Sequence, residues 1–244
     1  MTALKRVTVR SAVDEAADRL LTAIALGEFS VGERLPTERE LTEALGVSRP
    51  TVRTAISRLR AIGCVEVVRG RSGGHFVSSG WQRESAAAVR RTLVPRWEHS
   101  RELLDTRCLI EGLIARTAAV RHRAEDLTAI RTALDEHRRA ETSEGIRRAD
   151  GALHAAIARA AHNDQLVVYS AELLTEVSAG FPIEPFRGSY VKRARGEHAE
   201  LVDAIGRRDG ERAADIAQSH FAITSQALAE VVRAATESPS DTPS

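Results

Sequence analysis

The sequence predicts a mainly α-helical protein in two parts: a short helical segment closed by a small β-hairpin, then a long antiparallel helical bundle. Three observations predict it. Aromatic residues make up 4% of the 244-residue chain while hydrophobic residues reach 43%. The core must therefore be built from Ala, Leu, Ile and Val, which suits helices packed close together. Apolar residues recur at helical spacing over nearly all of 100–235. Two extended runs, Cys64–Val68 and His75–Val77, flank the glycine-rich turn 69–74, the pattern of a hairpin.

Each element has its own local reason. Residues 11–27 place Val13, Ala17, Leu20, Leu21 and Ile24 on one stripe, and Gly27 ends the helix. After a loop over 28–36, Thr37 caps a short helix with Glu40 three residues on, the capping-box spacing, and Gly46 stops it. Ser48 caps the next helix, whose first turn tolerates Pro50 because its N–H is not needed there. The stripe of that helix is Val52, Ile56, Leu59 and Ile62, and Gly63 closes it. Beyond the hairpin, a linker over 79–99 holds a helix near 82–93 that Pro95 closes. Helices are then expected over 99–120, 125–140, 144–162, 164–179, 189–207 and 210–235, with a break at 180–188 and Asn163 as a helix C-cap. The domain reading is 1–78 for the first domain, 79–99 for the linker, 100–235 for the bundle, and 236–244 for a polar, Pro/Ser-rich tail expected to be disordered.

Composition excludes several classes. No apolar run approaches the ~20 residues of a membrane span, and the N-terminus lacks a signal-peptide core. A cytoplasmic protein without a membrane partner is expected. Cys64 and Cys108 have no C-x-x-C spacing and read as small core residues in a reducing compartment. Net charge is +1, which by itself predicts no polyanion partner. Its distribution is more informative: residues 46–77 carry Arg49, Arg53, Arg58, Arg60, Arg69 and Arg71 against the single acid Glu66. Only two of the 35 basic residues are lysine, so a single arginine is weaker support for function than usual.

Two short helices joined by Gly46–Val47, the second capped by Ser48, make a helix-turn-helix. The second helix turns Arg49, Thr51, Arg53 and Arg60 away from its apolar stripe, a face that can enter a major groove. The hairpin supplies a wing, with Arg69 and Arg71 in reach of backbone or minor groove. The first part is thus an N-terminal winged helix-turn-helix with a small β-hairpin wing. The runs L-P-T-E-R-E-L from Leu35, G-V-S-R-P-T-V-R from Gly46 and A-I-G-C-V-E-V-V-R-G-R-S-G-G-H-F-V from Ala61 resemble the DNA-binding domain of the GntR family. The resemblance covers about residues 10–78. It implies DNA contacts at Arg39, Ser48, Arg49, Thr51, Arg53, Arg69 and Gly70. Pro50 stands where some relatives carry a hydroxyl residue and cannot donate a hydrogen bond.

The bundle carries a second constellation. His154 follows Asp150 by four residues, so both share a helix face. His198 lies on a stripe with Leu201, Val202 and Ile205, and His220 on one with Ala217, Phe221, Thr224 and Leu228. On spacing alone, the four groups fit either the first shell of a divalent transition metal or core histidines bonded to nearby carbonyls. His99, His122, His137 and His162 read as surface residues. The segments from Glu102, Asp150, Glu197 and Ala217 resemble the C-terminal ligand-binding domain of the FadR subfamily over about 100–233, with Leu153 where an aromatic often precedes the first His. This resemblance implies that Asp150, His154, His198 and His220 bind a divalent ion, zinc first, with nickel or manganese as alternatives. It also implies that Arg107 faces the pocket and pairs with an effector carboxylate; the alternative is a salt bridge to Glu111, four residues on.

The expected function is a ligand-responsive regulator, not an enzyme, that binds a palindromic DNA operator as a homodimer. A small organic acid in the metal-containing pocket would control it, and repression relieved by ligand is expected because that is commoner in the family. Two other readings are a direct metal sensor and a metalloenzyme with an appended DNA-binding head. Against the enzyme, there is no H-E-x-x-H and no obvious acid/base residue beside the ligands.

Overall fold

The computed structural model describes residues 11–70, 73–81, 83–178 and 188–238. Arg71 of the wing, the break over 180–187 and the tail beyond Ser238 lie outside them. In chain order the elements are α1 (Ala12–Leu26), α2 (Glu38–Leu45), α3 (Arg49–Ala61), β1 (Val65–Val68), β2 (Gly74–Val77) and α4 (Arg83–Thr92). A 3-10 turn at Val94–Arg96 leads to α5 (Trp97–Arg121), α6 (Ala124–Arg139), α7 (Ser143–Ala160), α8 (Asp164–Ser178), α9 (Gly188–Gly206) and α10 (Gly210–Glu237). The fold is mainly α with a winged helix-turn-helix. Two compact units divide the chain. One takes α1 up to Ala25, residues 29–94 and the chain from Ala234; the other takes 26–28 and 95–233.

In the first unit, the caps are built as the sequence suggests. The Thr37 hydroxyl accepts from the Glu40 N–H, while the Glu40 carboxylate accepts from the Thr37 N–H at 2.7 Å. Gly46 ends α2 at φ 65°, a left-handed conformation that favours glycine, and its N–H donates to the Thr42 carbonyl. The Ser48 hydroxyl accepts from the Thr51 N–H and starts α3. Leu20, Ile24, Leu41, Val52, Ile56, Leu59, Cys64 and Val77 close one core beneath these helices. The strands pair antiparallel from Val65↔Val77 to Val68↔Gly74. Gly70, at φ 118°, turns the chain between them, and its carbonyl accepts from the Gly73 N–H. Its glycine is therefore required by the wing's own backbone.

In the second unit, α5 packs against α7, α8 and α9, and α6 against α7 and α9. Ile114, Ile130, Leu153, Ile157, Leu201 and Ile205 form its core, with Ala115, Ala118, Ala119, Ala160, Ala161, Ala213 and Ala217 between them. Small residues at the crossings let the backbones approach, which is how a core with few aromatics reaches close packing. Two local readings are corrected. Asn163 starts α8 rather than ending α7: its side-chain oxygen accepts from the Gln165 and Leu166 N–H groups, while His162 takes the positive-φ position. His122 is buried rather than exposed, because its Nδ1 donates to the Ala118 and Ala119 carbonyls at 3.1 Å each and so satisfies the open end of α5. Among the described residues, no helix is long and apolar enough to cross a membrane.

Candidate functional site

The exposed side of α3 carries Arg49 at its first turn and Arg53 one turn later, and Arg39 is exposed on α2. Arg69 and Gly70 are exposed where the chain leaves β1. These arginines are not equivalent. Arg53 is held by Glu38 through two hydrogen bonds, Nε to Oε1 at 3.1 Å and Nη2 to Oε2 at 2.8 Å, so α2 fixes its orientation. That pair lowers the Glu38 pKa and raises that of Arg53. Arg39 stands 3.7 Å from Glu43. Arg58 is paired with Asp14. Ser48 and Thr51 share a 2.8 Å hydroxyl contact at the helix start.

In the bundle, α7 supplies Asp150 and His154, α9 supplies His198 and α10 supplies His220. All four are brought together: one ligand atom from each lies within 4.8 Å of the others. His198 Nε2 is 3.2 Å from His154 Nε2, 3.0 Å from His220 Nε2 and 3.2 Å from Asp150 Oδ1. Asp150 Oδ2 is 3.6 Å from His154 Nε2. The three imidazoles are buried, His198 completely. Burial pushes the His154 pKa well down and that of His220 down. Burial opposes ionisation of Asp150, but His154, His198 and His220 override it and hold its carboxyl far below the usual range.

These residues fit a divalent cation. A neutral imidazole has one N–H and one lone pair, so three mutually facing Nε2 atoms cannot all be satisfied by one another. Ligand bonds of about 2.0–2.1 Å to one ion place adjacent nitrogens about 3 Å apart, the spacing found here. One carboxylate and three nitrogen donors suit zinc, nickel or manganese. One ring has an ionic neighbour behind it: His220 Nδ1 stands 3.5 Å from Glu197 Oε2, longer than a formed hydrogen bond, and Glu197 Oε1 accepts from Arg193 Nε and Ser219 Oγ at 3.0 Å each. Burial would raise the Glu197 pKa, but the His220, Arg193 and Ser219 donors bring it to about 2.

Two features were not read from the sequence. His137, expected on the surface, is buried at the end of α6, with Nε2 3.8 Å from Asp150 Oδ1 and its ring edge-to-face with His198 at 4.6 Å. It continues the stripe of Ile130, Ala133 and Leu134 on α6, a spacing that marks it as inward-facing, but it stands among charged residues in the last turn, and packing against α7 and α9 buries it. Burial first, then His198, depress its pKa to about 4. Phe221 is the second. Its ring centroid lies 4.7 Å from that of His154, and the Arg107 guanidinium carbon lies 4.6 Å from it. Arg107 is 5% exposed, its Nε has no hydrogen-bond partner, and it forms no ion pair among the described residues. Glu111 instead accepts from the Ser170 hydroxyl at 2.6 Å, and burial raises its pKa. The alternative Arg107–Glu111 salt bridge is not formed.

Residues 5–74 match the family described as bacterial regulatory proteins, gntR family, and residues 102–223 match the FCD domain. The HTH-type transcriptional regulator RmpR of Mycobacterium gastri is 33% identical over 210 residues, covering 85% of this chain and 77% of that protein. The Uxu operon transcriptional regulator of Escherichia coli (strain K12) is 34% identical over 217 residues, covering 83% and 80%. The Glc operon transcriptional activator of the same strain is 28% identical, covering 93% and 91%.

The buried imidazoles set a pH dependence. His137, His154 and His220 have folded-state pKa values below the unfolded value of about 6.5. The unfolded chain therefore takes up protons that the fold refuses, and stability is lost as pH falls below 6.5 toward 4. Glu197, depressed to about 2, adds a loss in the same direction below its unfolded value. With chelator present, the urea midpoint should fall steadily from pH 7 to pH 5. A flat midpoint over that range would mean that these rings are solvated.

Proposed function

The chain belongs to the gntR family of bacterial regulatory proteins, and from that membership we propose a repressor that binds a palindromic operator as a homodimer and releases it when a small organic acid enters the FCD domain. It is a transcriptional regulator with a DNA-binding helix-turn-helix, not an enzyme. The observation that carries the effector reading is Arg107: a buried guanidinium, stacked on Phe221 beside the Asp150–His154–His198–His220 cluster, with no carboxylate of its own among the described residues.

Asp150, His154, His198 and His220 would hold a divalent ion, zinc first, which supplies a positive centre able to take one oxygen of a carboxylate. Arg107 presents a planar fork that binds a carboxylate through two hydrogen bonds and fixes its orientation. Phe221 braces both groups through its two contacts. Glu111 accepts from Ser170 through Oε1, and burial disfavours its charged form. Release of DNA requires the acid to bind the two arrangements of the regulator with different affinity. The Glc operon relative is named an activator, so the sign is a property to measure in this chain.

The dimer reading is supported by an uncovered apolar face. Leu109, Leu113 and Val120 of α5 are 58%, 47% and 61% exposed, and Val168, Tyr169 and Leu174 of the adjoining α8 are exposed as well. A monomer rarely leaves such a patch to water, and a second copy of the same face would cover it. A cytoplasmic location is part of the same proposal.

Three experiments test this reading. With an operator selected from random duplexes, Arg49→Ala should cost about 1–3 kcal/mol per half-site in gel shifts while the protein stays folded. Arg53→Ala should weaken binding to every sequence and lower the salt slope by roughly one; unchanged affinity in both would take α3 out of the groove. Purified protein should carry roughly one divalent ion per chain, each His→Ala change at 154, 198 or 220 should lower it, and zinc should raise the melting temperature because it binds the folded state. Full stability without metal and no gain on adding zinc, nickel or manganese would make the cluster ordinary core. In calorimetric titrations of candidate acids, Arg107→Ala should lose about 1.5–3 kcal/mol of binding, with metal content and operator affinity retained. Inducer binding as tight as in the parent would place the carboxylate anchor elsewhere.

A further inference from the structure

His137 is left without a role by the four-ligand reading, yet it is 2% exposed and sits against the cluster from a helix that contributes none of the ligands. Its Nδ1 is buried with no hydrogen-bond partner. Its Nε2 faces Asp150 Oδ1 at 3.8 Å. A neutral imidazole must place its one proton on one of these two nitrogens. Among the described residues only the Nε2 side offers an acceptor, so the proton belongs there. That tautomer makes His137 a donor toward the Asp150 carboxylate and removes the Nε2 lone pair from metal binding. At 3.8 Å the pair is in ionic contact rather than hydrogen-bonded, and the terminal torsion of Asp150 is a soft one. The edge-to-face contact with His198, at 4.6 Å and 88°, holds the His137 ring in place.

Resting on the metal reading above, we propose that His137 is a positioning residue: its Nε2–H holds the Asp150 carboxylate in the orientation that ligates the ion. The cluster then has an outer partner on each side, Glu197 behind the His220 ring and His137 behind the Asp150 carboxylate. Such partners restrict a ligand's motion before the ion arrives, so their loss weakens metal binding without changing the ligand set.

The test uses the full chain stripped of metal, with zinc alone as probe in competition with a chromophoric chelator. His137→Phe keeps an aromatic ring and removes the donor; His137→Gln keeps a side-chain N–H. Zinc affinity should fall about 10–100-fold in His137→Phe and return to within about threefold of the parent in His137→Gln. The cobalt(II) absorption bands of both variants should match those of the parent, because no ligand has been lost. If His137→Phe does not fold, His137→Leu takes its place as the donor-less variant. Parent-like zinc affinity in the donor-less variant overturns the proposal, leaving His137 as packing. Altered cobalt bands in that variant overturn it in the other direction, making His137 a ligand. A parent chain that binds no zinc fails the metal reading itself, which is a different result from a parent that binds zinc and a variant that binds it equally well.

Discussion

Three imidazole nitrogens and a carboxylate oxygen held together inside a helical bundle are the constraint on which the second unit turns. His198 Nε2 lies within 3.2 Å of two other Nε2 atoms and of Asp150 Oδ1, and all three rings are buried. Protons are an expensive remedy there, because burial disfavours the imidazolium form. Leaving polar groups unpaired in a core is expensive as well. A divalent cation removes both difficulties at once by accepting all the lone pairs. The rings come from α7, α9 and α10, so an ion among them would tie α7 to the consecutive pair α9 and α10.

Arg107 follows the same logic with the opposite sign. A buried guanidinium normally needs an anion, and the acid one helical turn on, Glu111, is engaged by Ser170. The stacking on Phe221 orients Arg107 without neutralising it. A small carboxylate satisfies the guanidinium and the remaining coordination of an ion together, and neither anchor alone would select for the second acidic or polar group of such a ligand. The DNA-binding unit uses its charges differently. There the arginines are exposed, and the Glu38 carboxylate fixes where the Arg53 guanidinium stands.

Much of this was legible in the sequence because it is local. Thr37 with Glu40, and Ser48 with Thr51, are caps whose partners lie three residues away, and both form as spaced. The i, i+4 relation of Asp150 and His154 put them on one face, and the stripes around His198 and His220 turned those rings inward. Their meeting at one point depends on how three helices pack, which periodicity does not encode; resemblance to a family supplied it. What escaped notice is tertiary. His137 lies in the charged last turn of α6, and although it continues the buried stripe of Ile130, Ala133 and Leu134, its place beside the cluster comes from packing against α7 and α9. The Arg53–Glu38 pair joins residues 15 apart across α2 and α3. Asn163 sits at the boundary between two helices, where a C-cap of one and an N-cap of the next look alike; its hydrogen bonds run forward into α8.

The cation in the cluster is tested most directly by X-ray absorption at the zinc edge of the zinc-loaded full chain. A first shell of nitrogen and oxygen at about 2.0–2.2 Å is expected, with multiple scattering from three imidazoles that drops to two in His198→Ala. Sulfur at about 2.3 Å, which would place the zinc on Cys64 or Cys108, or an imidazole signal unchanged by His198→Ala, would contradict the assignment of Asp150, His154, His198 and His220 as its ligands.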